Sequence, residues 1–377
     1  MKIEAFRGIN NVADQRKLKP GELAAATNVD IGTRGELMTR RGRSVIAAGS
    51  AHSVFECPFG VLALIDNDLL LLDSAGTTLR VVYDTLGYTR VWYVLFPDGR
   101  VGFSNGLISG IATATATTAW GVPMPEDAGA GAAGETLYQI TYVRSTDGLE
   151  GAPAYGLPVD MTQALTGLPV MSGYTINVYF APHGDDMFLA GNTATDTFLH
   201  DGAQLGAQHI GRGIGAPPAG TVLIHWNSRI LIADGNTVWA TRPFEPELCT
   251  LISDFIQLPA PVTLLYGTGD GLFVGTTEEL YFLAGLVFKD LKAQSIASGR
   301  VALGSGVEIP LSYLNEKVRP SGVLQGALCL VDGVVHLIHS GGVVVALTAE
   351  TYRQPATEVY ATARLRDNVM HYLAAPA

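Results

Sequence analysis

The chain has 377 residues, of which 47% are hydrophobic, 16% are charged and 44 are glycine, and its net charge is −11 from 35 acidic and 24 basic side chains. Few charges and many glycines fit short strands and tight turns, and they exclude helical bundles, whose outer faces need Glu, Lys and Arg. The acidic balance excludes a sequence-specific duplex binder, because such affinity comes largely from displacing counterions from phosphates. An acidic surface suits a wall past which DNA slides without adhering, and it equally suits a plain soluble protein. Cys57, Cys249 and Cys329 lie far apart without a CxxC pair, which reads as buried free thiols in a reducing cytoplasm. The opening MKIEAFRGINNVADQ lacks the apolar stretch of a signal peptide, and no run reaches the length of a membrane span. A soluble chain that is not exported by a signal sequence is expected.

Residues 1–50 are the most charged and least strand-like part and read as an extended arm with two brief strands, around NVDI and ELMTRRGR. Arg40, Arg41 and Arg43 are its basic cluster, readable as a solvated edge, a subunit contact or a phosphate contact. Residues 52–84 hold four apolar runs, SVFEC, GVLALID, DLLLLD and LRVVYD, separated by turn residues. Four meandering strands of this size make a propeller blade. Similar units recur at 89–115, 220–241, 262–284, 326–347 and 358–375, the last with its hairpin at Asp367-Asn368. They share no WD or kelch dipeptide. The stretch from Gly220 to Leu283 is the clearest, with VLIHW, RILIAD, TVWATR, VTLLYG, GLFVGT and ELYFLA joined by Asn-Ser, Asp-Gly-Asn, Gly-Asp-Gly and Thr-Glu-Glu. Such links are hairpin turns built on residues that accept positive φ.

A segment of different texture interrupts the units. An Ala/Gly/Pro linker at 119–133 precedes a long alternating strand at Thr136 to Arg144, a turn at Asp147-Gly148 and a hairpin turning at His183 to Asp186. This has the form of a small β-sandwich resembling a fibronectin type III domain. The predicted fold is therefore all-β. A propeller-like core of about six small antiparallel blades, at 51–118 and 206–377, carries an inserted sandwich at 134–205. A plain sandwich or open barrel stands behind this choice.

Chemistry is sparse. His183-Gly184-Asp185-Asp186 resembles a metal or acid/base cluster but sits where Asp and Gly are simply good turn formers. His336 and His339 are three apart in a stretch that alternates as a strand, so they point to opposite faces. His225, beside Trp226, reads as a packing residue. Gly211-Arg212-Gly213-Ile214-Gly215 is not GxGxxG and lacks the strand and helix a dinucleotide needs. No P-loop, GxSxG or HExxH is present, and no carboxylate pair framed by aromatic platforms marks a glycosidase. No catalytic residue, cofactor or metal site is expected, and the chain does not read as an enzyme.

The text FRGINNVADQRKLKPGELAAATNVDIGTRGELMTRRGR resembles the N-terminal arm of the tail nozzle or DNA-stabilisation family of short-tailed bacteriophages. Gly8-Ile9-Asn10, Asp14, Leu18, Gly21-Glu22, Asn28-Val29-Asp30-Ile31, Gly35, Leu37, Arg40 or Arg41, and Gly42 carry the likeness. LYQITYVRSTDGLEGAPA looks like that family's inserted sandwich, with Gly151 in place of the usual Ser, and LIHWNSRILIADGNTVWATRPFEPEL and LFVGTTEELYFLAG look like its blades. The resemblance implies a virion subunit repeated around the portal–tail axis, expected as a hexameric ring, that continues the DNA channel and retains the genome. Portal, adaptor or other tail proteins are its implied partners. Arg40, Arg41, Arg43, Asp14 and Asp30 are the candidate subunit contacts. The chain is shorter than many nozzle proteins. A receptor- or carbohydrate-binding propeller at a tail tip is the competing reading, and a hydrolase is the third.

Overall fold

Short apolar runs become strands here because the residues between them close tight turns. Leu223–Trp226 reverses onto Arg229–Asp234 through Asn227 and Ser228, both in the left-handed region at φ 46° and 61°. Asp332 and Gly333, at φ 47° and 76°, do the same between Gln325–Val331 and Val334–His339. Paired positive φ gives the turn whose twist matches that of antiparallel strands. The computed structural model describes residues 6–26, 29–31, 36–39, 45, 48–211, 213–314, 322–366 and 369–377.

Among the described residues, repetition of such hairpins builds five antiparallel sheets in sequence order, four of four strands and the third of six. The first blade is Ala51–Cys57, Gly60–Ile65, Asp68–Leu72 and Thr78–Tyr83. The second is Trp92–Leu95, Val101–Ser104, Ser109–Ala112 and Thr117–Ala119. The third is Leu223–Trp226, Arg229–Asp234, Thr237–Arg242 and Glu245–Thr250, to which Ile214–Gly215 and Phe255–Gln257 add pairings. The fourth is Val262–Thr268, Gly271–Thr276, Glu279–Ala284 and Lys292–Ser298, and the fifth Val307–Pro310, Gln325–Val331, Val334–His339 and Val343–Ala346. The sixth unit is a hairpin, Val359–Arg366 with Val369–Pro376, and its expected Asp367-Asn368 turn lies outside the described residues.

Contacts between sheets arrange these units around an axis. The first strand of blade one touches that of blade two, which touches that of blade three, which touches that of blade four; the first strand of blade five meets Val359–Arg366. The apolar core correspondingly lies between neighbours. Leu62, Leu64, Leu69 and Leu71 pack against Val101 and Phe103, and Phe96 and Trp120 pack against Leu223 and Ile232. Leu231 and Val238 meet Leu265 and Leu272, and Phe273 and Phe282 meet Cys329 and Ile338. Because each blade is covered on both faces, an inner strand such as Gly271–Thr276 is buried along its whole length. Among the described residues the architecture is an all-β propeller of five full blades and a terminal hairpin.

Between blades two and three the chain forms a separate unit. Its sheet has the order Ala154–Tyr155, Ala133–Arg144, Tyr174–Ala181, Phe188–Thr193. Tyr138, Ile140, Tyr142, Ile176, Val178 and Phe180 share one face of it and bury a core with Leu165 and Phe198, which belong to a facing two-stranded sheet. Gly156 is required where the chain crosses Tyr138, since a Cβ there would run into the phenol ring. The unit is thus a small two-layer β structure, and its strand count alone does not give it a fibronectin type III identity. The arm pairs Gly8–Ile9 with Glu22–Leu23 and Val29–Ile31 with Leu37–Thr39. It docks on the propeller where Asn11 exchanges hydrogen bonds of 2.9 Å with the backbone of Arg353.

Candidate functional site

Strand alternation gives the inserted sheet a second face, and that face is polar. Gln139 pairs directly with Tyr179, and Thr141 with Asn177, so these four side chains stand together. Segments 148–151 and 205–211 lie over them, leaving Gln139, Thr141 and Tyr179 almost fully buried. Buried polar groups require partners, and one carboxylate oxygen supplies most of them. Glu150 Oε1 accepts from the Tyr179 hydroxyl at 2.5 Å, from Asn177 Nδ2 at 3.1 Å and from Thr141 Oγ1. Beside them Gln139 Nε2 and His209 Nδ1 are hydrogen-bonded at 2.7 Å. The His209 ring rests on Tyr179 with centroids 4.8 Å apart.

Burial, reinforced by Glu150, pushes the Tyr179 phenol well above its ordinary range, so it remains a donor. Burial lowers the His209 pKa against an opposing pull from Glu150, so the ring is neutral at pH 7. Two clefts flank this cluster and share His209. One, of about 350 Å³, is lined by Tyr155, Gln139, Asp185, Asp186 and Gln208 among others. The other, of about 430 Å³, runs past Glu150 and Tyr179 toward Arg242 and Leu248 of blade three. A carboxylate oxygen saturated by three donors is a structural acceptor, and the arrangement is built to hold groups in place. Burial raises the Cys57 thiol and pushes Cys249 and Cys329 up to about 12, which disfavours their thiolate forms.

A second cluster joins modules. Glu247 of blade three accepts from Arg100 Nη1 of blade two at 2.5 Å and from Arg144 Nη1 of the insert at 2.7 Å. Arg144 also holds Asp147, with Nη2 at 2.6 Å, and Arg100 holds Asp98, with Nε at 2.8 Å. The Glu247 and Arg144 side chains are only 8% and 10% exposed. Arg144 depresses the Asp147 carboxyl, and Asp147 first, then Glu247, raise the Arg144 pKa. Blades three and four are joined in the same way. Asp254 pairs with Arg229 at 3.5 Å and with Lys289 at 3.1 Å; burial pushes its carboxyl up, but these cations and Thr250 outweigh that and leave it low.

A pH dependence follows. Asp147 and Asp254 are depressed in the folded chain, and His52 and His209 resist protonation because of burial. In acid the unfolded chain therefore binds more protons than the folded one, and stability rises with pH. The melting temperature is expected to decline as pH drops below 6.5, the ordinary histidine value, and to fall further as the carboxylates protonate. Asp147→Asn should flatten the acid limb while costing less than about 1 kcal/mol at neutral pH, because Asp147 is half exposed. Calorimetry across the pH range checks both statements.

The residues singled out by sequence are distributed differently. Asp14 is exposed and caps a short turn at Gln15–Lys17, its Oδ1 accepting from Arg16 N at 2.8 Å. The backbone of Asp30 pairs with Met38, while its side chain, and all of Arg40, Arg41 and Arg43, lie outside the described residues. His183 to Asp186 do form the hairpin turn, and Asp185 and Asp186 additionally line the smaller cleft. His336 and His339 bind different backbone carbonyls, those of Val334 and Ser340. Among the described residues no group of His, Cys, Asp and Glu is placed to hold a metal ion, and no helix is long and apolar enough to cross a membrane. Glu150, Tyr179, His209 and Glu247 were not singled out as candidates, although Glu150 and Glu247 lie in the stretches that carry the resemblance.

No family model matches the chain, and no curated protein matches it. Among solved structures it is similar to a streptogramin B lyase, at 11% identity and a TM-score of 0.32, over 85% of this chain and 89% of that one. It is also similar to BBS1N from its complex with ARL6DN, at 10% identity and a TM-score of 0.35, over 88% and 94%. The C-terminal WD40 domain of Sif2 matches at 10% identity and a TM-score of 0.35, over 82% and 73%. Likenesses this distant carry no argument, and the architecture rests on the strand pairings.

Proposed function

We propose that the chain is a structural subunit of a bacteriophage virion, a tail nozzle or head-to-tail component that forms part of the DNA channel and retains the genome until ejection. The observation that supports this reading best is the ion-pair chain through Arg100, Glu247 and Arg144. It places buried charge at a joint between three modules. Groups fixed in that way stiffen a body that must transmit force. The sequence of the arm and the acidic balance of the chain agree with this role. In it, subunits form a symmetric ring, expected as a hexamer, whose acidic lumen lets DNA pass with little adhesion. Portal, adaptor or other tail proteins are the partners, and the virion is its place.

The test is the mass of the purified protein in solution, followed by imaging of intact particles. A ring in solution, or a monomer found at a symmetric axial position in particles, is the expected result. A monomer absent from particles, or a ring with a basic lumen, overturns the proposal.

A further inference from the structure

We propose that the smaller cleft of the inserted unit is a binding site for a neutral saccharide. The proposal is independent of any role in a virion. Tyr155 belongs to the edge strand Ala154–Tyr155 and pairs with Gln139, so it stands on the polar face beside the Gln139–His209 pair. Tyr155 is 55% exposed, whereas Gln139, Thr141 and Tyr179 on the same face are buried. A large aromatic side chain left open on a polar wall is a platform for an apolar ring face.

The groups around it are of both hydrogen-bonding senses. Asp185 and Asp186, on the turn between Tyr174–Ala181 and Phe188–Thr193, supply carboxylate acceptors, and Gln208 Nε2 fixes Asp186 through Oδ1 at 2.9 Å. Gln208 supplies a donor, because its amide carries a second N–H beyond the one held by Asp186. A simple anion needs donors only, and a simple cation acceptors only. A hydroxyl both donates and accepts, and a pyranose adds a C–H face for the tyrosine. The mixed lining with one aromatic wall fits that chemistry. The cleft is open and of about 350 Å³, within the range of small-ligand sites. Its floor is held in place, since Gln139 is bonded to His209 and its neighbours Thr141 and Tyr179 are bonded to Glu150.

Saturation-transfer NMR on the full chain tests this, with glucose, galactose, mannose and N-acetylglucosamine as probes at about 10 mM, above a millimolar Kd. Nα-acetyl-lysine amide serves as the cationic control. At least one sugar should show transfer. Tyr155→Ala and Asp185→Asn should each weaken it about tenfold or more, as expected when a stacking or hydrogen-bonding contact is lost, while Tyr155→Phe retains it. Both side chains are exposed, so unchanged melting of the variants shows that the fold is intact. Absence of transfer from all four sugars, transfer that survives both variants, or transfer from the lysine amide alone overturns the proposal.

Discussion

Replacing Glu247 with alanine is expected to cost about 3 kcal/mol of stability and to loosen the inserted unit from the propeller, because it leaves buried cations without their anion. Arg144 is 10% exposed, and its Nη1 loses the Glu247 carboxylate, while Nε and Nη2 keep Asp147. Arg100 is 31% exposed and keeps Asp98, so it recovers part of its solvation and adds less to the loss. That division places the effect at the lower end of what breaking a buried pair costs. Trp120 lies at the same joint, its Nε1 donating to Pro246 O at 2.8 Å, so displacement of Glu247 also disturbs the core between blades two and three. Replacing both partners, Arg144→Met with Glu247→Leu, should restore much of the loss, since two apolar groups carry no unpaired charge. Chemical denaturation gives the energies, and proteolysis at the 183–186 turn reports the loosening. A loss under about 1 kcal/mol would mean that the pair is solvated in practice and does not fasten the modules.

The fold was more legible than the site, for physical reasons visible at particular residues. Strands with one buried face and tight turns announce themselves, and Leu223–Trp226 through Glu279–Ala284 lie where the alternation and the Asn-Ser, Gly-Asp and Thr-Glu links place them. Strands without that contrast were missed. Lys292–Ser298 is the outer strand of blade four, largely exposed and polar, so nothing in KAQSIAS alternates strongly. Val307–Pro310 is four residues long and ends in proline, which usually signals that a strand stops. Both belong to blades that the sequence reduced to three strands.

The polar cluster was hidden differently. Tyr138, Ile140 and Tyr142 alternate with Gln139, Thr141 and Val143, which tells that one face is polar. It does not tell that segments 148–151 and 205–211 return to cover that face. Glu150 and His209 lie 59 positions apart and meet only through the tertiary fold, and Glu247 reaches Arg144 across 103 positions. Short-range motifs cannot record such meetings. The turn at His183 to Asp186 shows the reverse case, in which a reading as simple turn chemistry is correct for the backbone yet two of its carboxylates also line a cleft.

The second large effect is expected at Arg90, where the propeller ring closes. Propellers hold their circular order only if the last unit is tied to the first, and here the last unit is a two-stranded hairpin with less pairing than any full blade. Arg90 lies between blades one and two, yet its guanidinium is stacked between Trp92, at 4.2 Å, and Tyr360 of the hairpin, at 4.5 Å. Its Nη1 donates to Val359 O at 2.6 Å, and Glu358 lies 4.0 Å away. On the same side His52 of the first blade packs on Tyr360 with centroids 5.9 Å apart. Removing a half-desolvated cation from two rings and a charged hydrogen bond from a carbonyl costs about 2–4 kcal/mol in sum. Arg90→Ala should therefore destabilise by that amount, and the loss should be local first. Amide exchange in Val359–Arg366 should accelerate well before exchange in Gly271–Thr276, which is buried between neighbours on both sides. Arg90→Lys should rescue little, because an ammonium cannot stack as a plane between two rings while reaching Val359 O. Gly304 gives an independent check. It sits at φ +74°, where a Cβ would run into Arg90 Nη1 and Val359 O, so Gly304→Ala must push the same contact apart and produce the same pattern of exchange. Uniform acceleration across all blades in either variant would show that the ring opens as one unit, and that Arg90 is a packing residue with no special part in closure.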